Sequence, residues 1–147
     1  MMIHPPYSIL IADDDRQCRE TLREIVEPEG FHAVLASSGE EALDIIHEEP
    51  VHLALFDMHM SRLTGLETVE LVHQFNSLLP CILVTADATE DLMRQAFSVR
   101  AYSVIPKPVS RNVLLYTMVK ALMKVYGSLL KRDANPDEDG DAKGPKE

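Results

Sequence analysis

The chain has 147 residues, enough for one domain of ordinary size, and its 14 basic against 24 acidic residues give a formal charge of −10. That balance argues against binding nucleic acid or an anionic membrane, since both rest on Lys and Arg neutralising phosphate. The two cysteines, Cys18 and Cys81, lie in apolar segments without metal-ligand spacing, so buried free thiols in a reducing compartment are expected rather than a disulfide. The opening Met-Met-Ile-His-Pro-Pro lacks a signal-peptide pattern, and no apolar stretch approaches the roughly 20 residues that span a bilayer. A cytoplasmic protein is expected, with no membrane partner.

Strand and helix patterns alternate along the chain, as in βαβ units around a parallel sheet. Ser8 to Ala12 reads as the first strand, and Asp14 or Asp15 can cap a helix bearing Cys18, Leu22, Ile25 and Val26 that stops at Pro28 and Gly30. Phe31 to Ala36 reads as the second strand, followed by a Ser37-Ser38-Gly39 turn and a short helix with Ala42, Ile45 and Ile46 inward. Val51 to Phe56 is the third strand, a helix runs from about Thr64 to Phe75, and Cys81 to Thr85 is the fourth strand. A helix from about Thr89 to Val99 and a fifth strand from Tyr102 to Ile105 come next; Pro106 marks that strand as an edge, and Ser110 caps the last helix. Residues 1–6 read as an extension, 7–130 as the domain, and 131–147, polar and aperiodic, as a disordered tail.

Four of the apolar runs end in residues suited to a phosphate-and-metal site: Asp13 and Asp14, Asp57, Thr85 and Lys107. A buried parallel strand delivers a side chain to a crevice at its carboxyl end in this way, and open α/β sheets bind ligands there. Three carboxylates on one edge repel unless a cation offsets them, and oxygen-only donors suit Mg²⁺, with Mn²⁺ able to substitute. Three carboxylates and one ammonium sum to about −2, one Mg²⁺ brings that to about zero, and a phosphoryl group then adds about −1.5 to −2. Asp57, alone at its strand end, is the better nucleophile, leaving Asp13 and Asp14 for the metal. The Lys107 ammonium and the Thr85 hydroxyl can each engage a phosphoryl oxygen.

Ile11-Ala12-Asp13-Asp14-Asp15, Leu55-Phe56-Asp57-Met58-His59-Met60, Leu83-Val84-Thr85-Ala86 and Pro106-Lys107-Pro108 together resemble the signature of two-component response-regulator receiver domains, in order and spacing over roughly residues 6–128. The resemblance implies a flavodoxin-like doubly wound α/β fold, a five-stranded parallel sheet in the order 2-1-3-4-5 flanked by five helices. It implies a signalling domain rather than an enzyme, with Asp57 taking a phosphoryl group from a phosphohistidine of a sensor kinase or phosphotransfer protein. It also implies that Asp14 binds Mg²⁺ directly and Asp13 through water, that His59 lends a backbone carbonyl, and that the Lys107-Pro108 peptide is cis.

Two positions depart from the family pattern. Ser61 stands where proline usually follows Asp-x-x-Met, and Val104 stands where an aromatic usually precedes the lysine by three, with Tyr102 expected on the same strand face. Those departures leave a phosphate-insensitive binding module as the alternative function. A haloacid-dehalogenase-type phosphatase needs a second Asp two residues after the first, where this chain has His59. A flavin site fails because the first loop is acidic where a phosphate cradle needs donors. With no output domain recognisable, signalling is expected to pass to a downstream protein by contact. On the final helix Leu114, Met118, Leu122, Val125 and Leu129 form one apolar stripe, and Leu115, Val119, Met123, Tyr126 and Leu130 a second beside it. So wide a band points to a partner surface or a homodimer.

Overall fold

A computed structural model describes residues 6–134, and the side chains of 6–127. The strands are β1 (Ser8–Ala12), β2 (His32–Ala36), β3 (Leu53–Asp57), β4 (Cys81–Thr85) and β5 (Ser103–Pro106). The helices are α1 (Arg16–Val26), α2 (Gly39–Glu48), α3 (Gly65–Phe75), α4 (Glu90–Ser98) and α5 (Arg111–Ala134). All strand pairs are parallel, in the order β2-β1-β3-β4-β5, so the doubly wound architecture is as expected and β5, with its proline, is an edge.

Alternation along the strands supplies two cores. Leu10, Ala54, Phe56, Cys81 and Leu83 face α2, α3 and α4, while Ile9, Ile11, Leu53, Leu55 and Ile82 face α1 and α5. Every residue of β3 and β4 is buried, which is why these strands read as unbroken apolar runs. The helices start where side chains can satisfy free amides: Asp15 accepts from the Gln17 N–H, Ser38 from that of Glu41, Thr64 from that of Glu67 and Thr89 from that of Leu92. At the end of α1, Pro28 enters a short 3-10 turn and Gly30 adopts φ 97°, which a glycine takes without steric cost.

Several boundaries differ from the sequence reading. β2 begins at His32 rather than Phe31, and β3 at Leu53 rather than Val51, because pairing with β1 starts at Leu53 opposite Ile9. β5 is shifted by one residue to Ser103–Pro106. Tyr102 therefore precedes the strand and packs with the α1/α5 core, whereas Val104 packs against the α2–α4 core. The expected shared face does not exist. α5 continues through Lys131–Ala134, into the segment read as a tail. Residues 1–5 of the expected extension and 135–147 of the expected tail lie outside the described residues, as do the side chains of Leu129 and Leu130.

The outer stripe of α5 is split. Leu115 and Tyr126 pack on the core, and Val119 and Met123 are exposed. Tyr126 is held by groups far away in sequence: its ring stacks on Tyr7 at 5.4 Å, and its hydroxyl donates to the His52 carbonyl at 3.1 Å. His52 Nδ1 accepts the Ser8 N–H at 3.0 Å, which fixes the neutral ring with its proton on Nε2. Burial lowers the His52 pKa below its usual 6.5. With the folded pKa below the unfolded one, this contribution to stability is present above about pH 6.5 and lost as pH falls through the folded value. Urea midpoints for the wild type should therefore drop between pH 7.5 and 5.5, and His52→Asn, which keeps an acceptor but does not titrate, should show a shallower drop. Equal pH dependence in the two proteins would refute the assignment.

Candidate functional site

The first acidic cluster is built by the turn out of β1. The Asp13 N–H donates to the Ala36 carbonyl at the end of β2, 3.1 Å away, and the Asp13 carbonyl accepts from Arg19 at 2.7 Å. Its carboxylate is 2 % exposed and accepts the Asp15 N–H at 2.9 Å. Asp15, not Asp14, is the residue that caps α1, taking up the Gln17 N–H and the Cys18 thiol. Asp14 is thereby released from capping; it is exposed, and the Ser61 hydroxyl donates to its Oδ2 at 3.3 Å.

Asp57 is the final residue of β3. Its Oδ2 accepts the His59 N–H at 3.0 Å, and its Oδ1 lies 2.6 Å from the Lys107 ammonium. The loop behind it is anchored by two backbone bonds, Met58 N–H to the Val84 carbonyl and Gly65 N–H to the Met58 carbonyl, each 2.9 Å. Thr85 ends β4, is fully buried, and accepts the Asp87 N–H on Oγ1 at 3.1 Å, which leaves its hydroxyl proton free to donate. Lys107 follows β5; its N–H donates to the Thr85 carbonyl at 2.7 Å, and the Lys107-Pro108 peptide is cis. The ammonium reaches Asp13 Oδ2 at 3.5 Å as well as Asp57, and the Cys18 sulfur at 3.8 Å. The His59 ring is exposed.

The carboxyl ends of β1, β3, β4 and β5 bring all five residues picked out by sequence to one edge of the sheet, where the Lys107 ammonium contacts Asp13 and Asp57. One oxygen from each of Asp13, Asp14 and Asp57 lies within 4.8 Å of the others. The charge is only partly balanced. Burial raises the Asp13 pKa and the Asp57 charge adds to that rise, against the opposing Asp15 amide and Lys107. Burial would lower the Lys107 pKa, but its hydrogen bond to Asp57 and the charges of Asp13 and Asp57 outweigh this and raise it. A buried carboxylate destabilised in its charged form, beside two more and one ammonium, fits a hard divalent cation with oxygen ligands. Cys18 is no rival donor: its hydrogen bond to Asp15, then burial, push its thiol up to about 11. Both cysteines are free, but only Cys81 is buried as expected; Cys18, at the start of α1 beside Lys107, is half-buried.

Sequence reasoning missed three contacts of the site. Cys18 beside Lys107 and Ser61 on Asp14 join segments 89 and 47 positions apart, and Arg19, on the first turn of α1, reaches back six positions to the Asp13 carbonyl; no residue pattern encodes these contacts. Ser61 had one signal, its place where the related pattern has proline.

A sequence profile described as the response regulator receiver domain matches residues 9–119. The chain is 34% identical over 119 residues to the response regulator RR06 of Streptococcus pneumoniae, covering 81% of this chain and 54% of that protein. It is 31% identical over 116 residues to the transcriptional regulatory protein CpxR of Escherichia coli, covering 79% of this chain and 49% of that protein. It thus spans about half the length of these curated relatives. Among solved structures, a CheY-like response regulator receiver domain protein from Methanospirillum hungatei superposes with a TM-score of 0.79 at 29% identity, over 84% of this chain and 98% of that one. The response regulator TrrA from Thermotoga maritima, in complex with Mg²⁺-BeF, gives 0.73 at 27% identity, over 79% and 99%. With a profile match over most of the domain and the same fold in these structures, the chain belongs to the response regulator receiver domains of two-component signalling systems.

Proposed function

We propose that Asp57 accepts a phosphoryl group from a phosphohistidine of a sensor histidine kinase or phosphotransfer protein. The observation that carries this is the placement of Asp57: a carboxylate at a strand end, 2.6 Å from the Lys107 ammonium and grouped with Asp13 and Asp14. In the reaction an Asp57 carboxylate oxygen bonds to phosphorus, the phosphorus–nitrogen bond of the donor breaks, and the departing imidazole keeps that electron pair and takes up a proton. Asp13, Asp14, Asp57 and the backbone carbonyl of His59 would hold Mg²⁺ or Mn²⁺, which supplies positive charge that lets phosphate approach a carboxylate cluster. Lys107, already placed on Asp57 Oδ1, contributes a point charge to a phosphoryl oxygen, and the Thr85 hydroxyl donates to another. The protein is a phosphoacceptor that assists its own phosphorylation and dephosphorylation rather than an enzyme acting on a separate substrate.

Residues 7–130 form the receiver unit in this reading, which acts in the cytoplasm where a kinase phosphohistidine is met. Among the described residues no helix is long and apolar enough to cross a membrane. The signal leaves by contact with a downstream protein; the acidic chain disfavours nucleic acid as a direct partner. Exposed Met93 and Phe97 on α4 and Tyr116, Val119 and Met123 on α5 support a contact surface there, with a homodimer through α5 as one occupant.

Incubation with acetyl phosphate followed by intact mass tests the proposal. One phosphoryl group per chain is expected with Mg²⁺ or Mn²⁺ and none with excess chelator. No adduct despite measurable Mg²⁺ binding would defeat it in favour of the phosphate-insensitive binding module.

A further inference from the structure

The three carboxylates of the site are not held alike. Asp13 is fixed by the Asp15 amide and Lys107, and Asp57 by the His59 amide and Lys107. Asp14 is exposed, and among the described residues its carboxylate has one hydrogen bond, the 3.3 Å contact from the Ser61 hydroxyl across 47 positions of sequence. An exposed carboxylate without that contact would sample several rotamers, and ordering it on binding a cation would cost entropy.

Ser61 is itself well placed to do this. Met60 before it is buried, and Arg62 after it adopts φ 69° and brings its guanidinium 4.0 Å from Glu40 of α2. A left-handed conformation at a non-glycine residue persists where its surroundings determine it, and the buried Met60 anchors the loop on the other side of Ser61.

We infer that Ser61 is a positioning residue for Asp14: its hydroxyl bridges the loop after β3 to the loop after β1 and holds the carboxylate ready for a divalent cation. A carboxylate accepts at about four lone-pair sites, so one bond from Ser61 leaves room for a metal. This rests on the reading of Asp14 as a metal ligand. Proline at this position would have no hydroxyl to give, and alanine would free the Asp14 side chain.

The test is Mg²⁺ titration by calorimetry of the wild type, Ser61→Ala and Ser61→Thr, with melting in EDTA as the check on folding. Ser61→Ala should weaken Mg²⁺ binding by roughly 3- to 10-fold, at or below the 10- to 100-fold typical of residues that orient metal ligands, because Asp14 is exposed. Ser61→Thr, which keeps the hydroxyl, should return it to within about 2-fold on the same scale, and all three proteins should melt alike in EDTA. Unchanged or tighter Mg²⁺ binding by Ser61→Ala, in a wild type that does take phosphate, would overturn the role of Ser61 alone. Equal weakening in both variants would overturn it too. A wild type that binds no Mg²⁺ and takes no phosphate would instead overturn the reading of the whole site.

Discussion

Asp57→Asn is expected to abolish the phosphoryl adduct while leaving a folded protein. The amide is nearly isosteric, and its carbonyl oxygen can still accept the His59 N–H that holds Asp57 Oδ2 at 3.0 Å. What disappears is the anionic oxygen that must bond to phosphorus. Stability should change little, by about 1 kcal/mol in either direction, because two effects oppose. The 2.6 Å ion pair with Lys107 is lost, but so is the repulsion that helps to raise the Asp13 pKa, and Lys107 keeps Asp13 Oδ2 at 3.5 Å. Lys107→Met extends the argument: it keeps a long side chain and removes the charge, so phosphorylation by acetyl phosphate should slow by roughly 10²-fold, the scale seen when one donor to a developing oxyanion is removed. Mass and rate measurements on the two variants separate nucleophile from helper. An adduct that persists in Asp57→Asn would place the acceptor elsewhere, and an unslowed Lys107→Met would remove lysine from the reaction.

The parts of this site visible in sequence are those that a single strand delivers. β3 and β4 are covered on both faces, so their composition cannot alternate, and each ends abruptly in the polar residue that meets the crevice, Asp57 or Thr85. That pattern gave the element order and the delivery of Asp13, Asp14, Asp57, Thr85 and Lys107 to one edge of the sheet. Contacts made between distant segments were not visible. The shared face expected of Tyr102 and Val104 assumed that the strand already included Tyr102, whereas pairing with β4 begins at Ser103 opposite Ile82. The apolar band of α5 was read as surplus to one sheet face, yet Tyr126 is drawn inward by Tyr7 and His52, residues whose proximity depends on the completed fold. Whether Asp14 or Asp15 capped α1 was equally open until the backbone fixed Asp15, with φ −98° and ψ 117°, at the cap.

Gly65→Ala should couple a large loss of stability to a loss of phosphorylation, because Gly65 is the point where α3 presses on the strand that carries Asp57. A methyl group on Gly65 would lie 2.7 Å from the Asp57 carbonyl oxygen, 2.8 Å from a Leu83 methyl and 3.0 Å from the Met58 Cα. Two of those three neighbours are backbone and cannot rotate away. Thr64 and Glu67 form a capping box around the same helix start, and the Gly65 N–H is committed to the Met58 carbonyl at 2.9 Å, so α3 cannot retreat without breaking these bonds. Overpacking of this kind costs about 1–3 kcal/mol, or more where backbone must move, and should lower the melting temperature by roughly 5–10 °C. Relief comes most readily by shifting Asp57 and Met58, which takes the carboxylate away from its 2.6 Å contact with Lys107. Gly127→Ala is the control, since a methyl there meets nothing closer than Met123 at 3.7 Å in the middle of α5, and it should gain about 0.5–1 kcal/mol from helix propensity. Thermal melts and acetyl phosphate rates on the two variants decide the matter: a Gly65→Ala protein that melts and reacts like the wild type would mean that α3 does not set the position of Asp57.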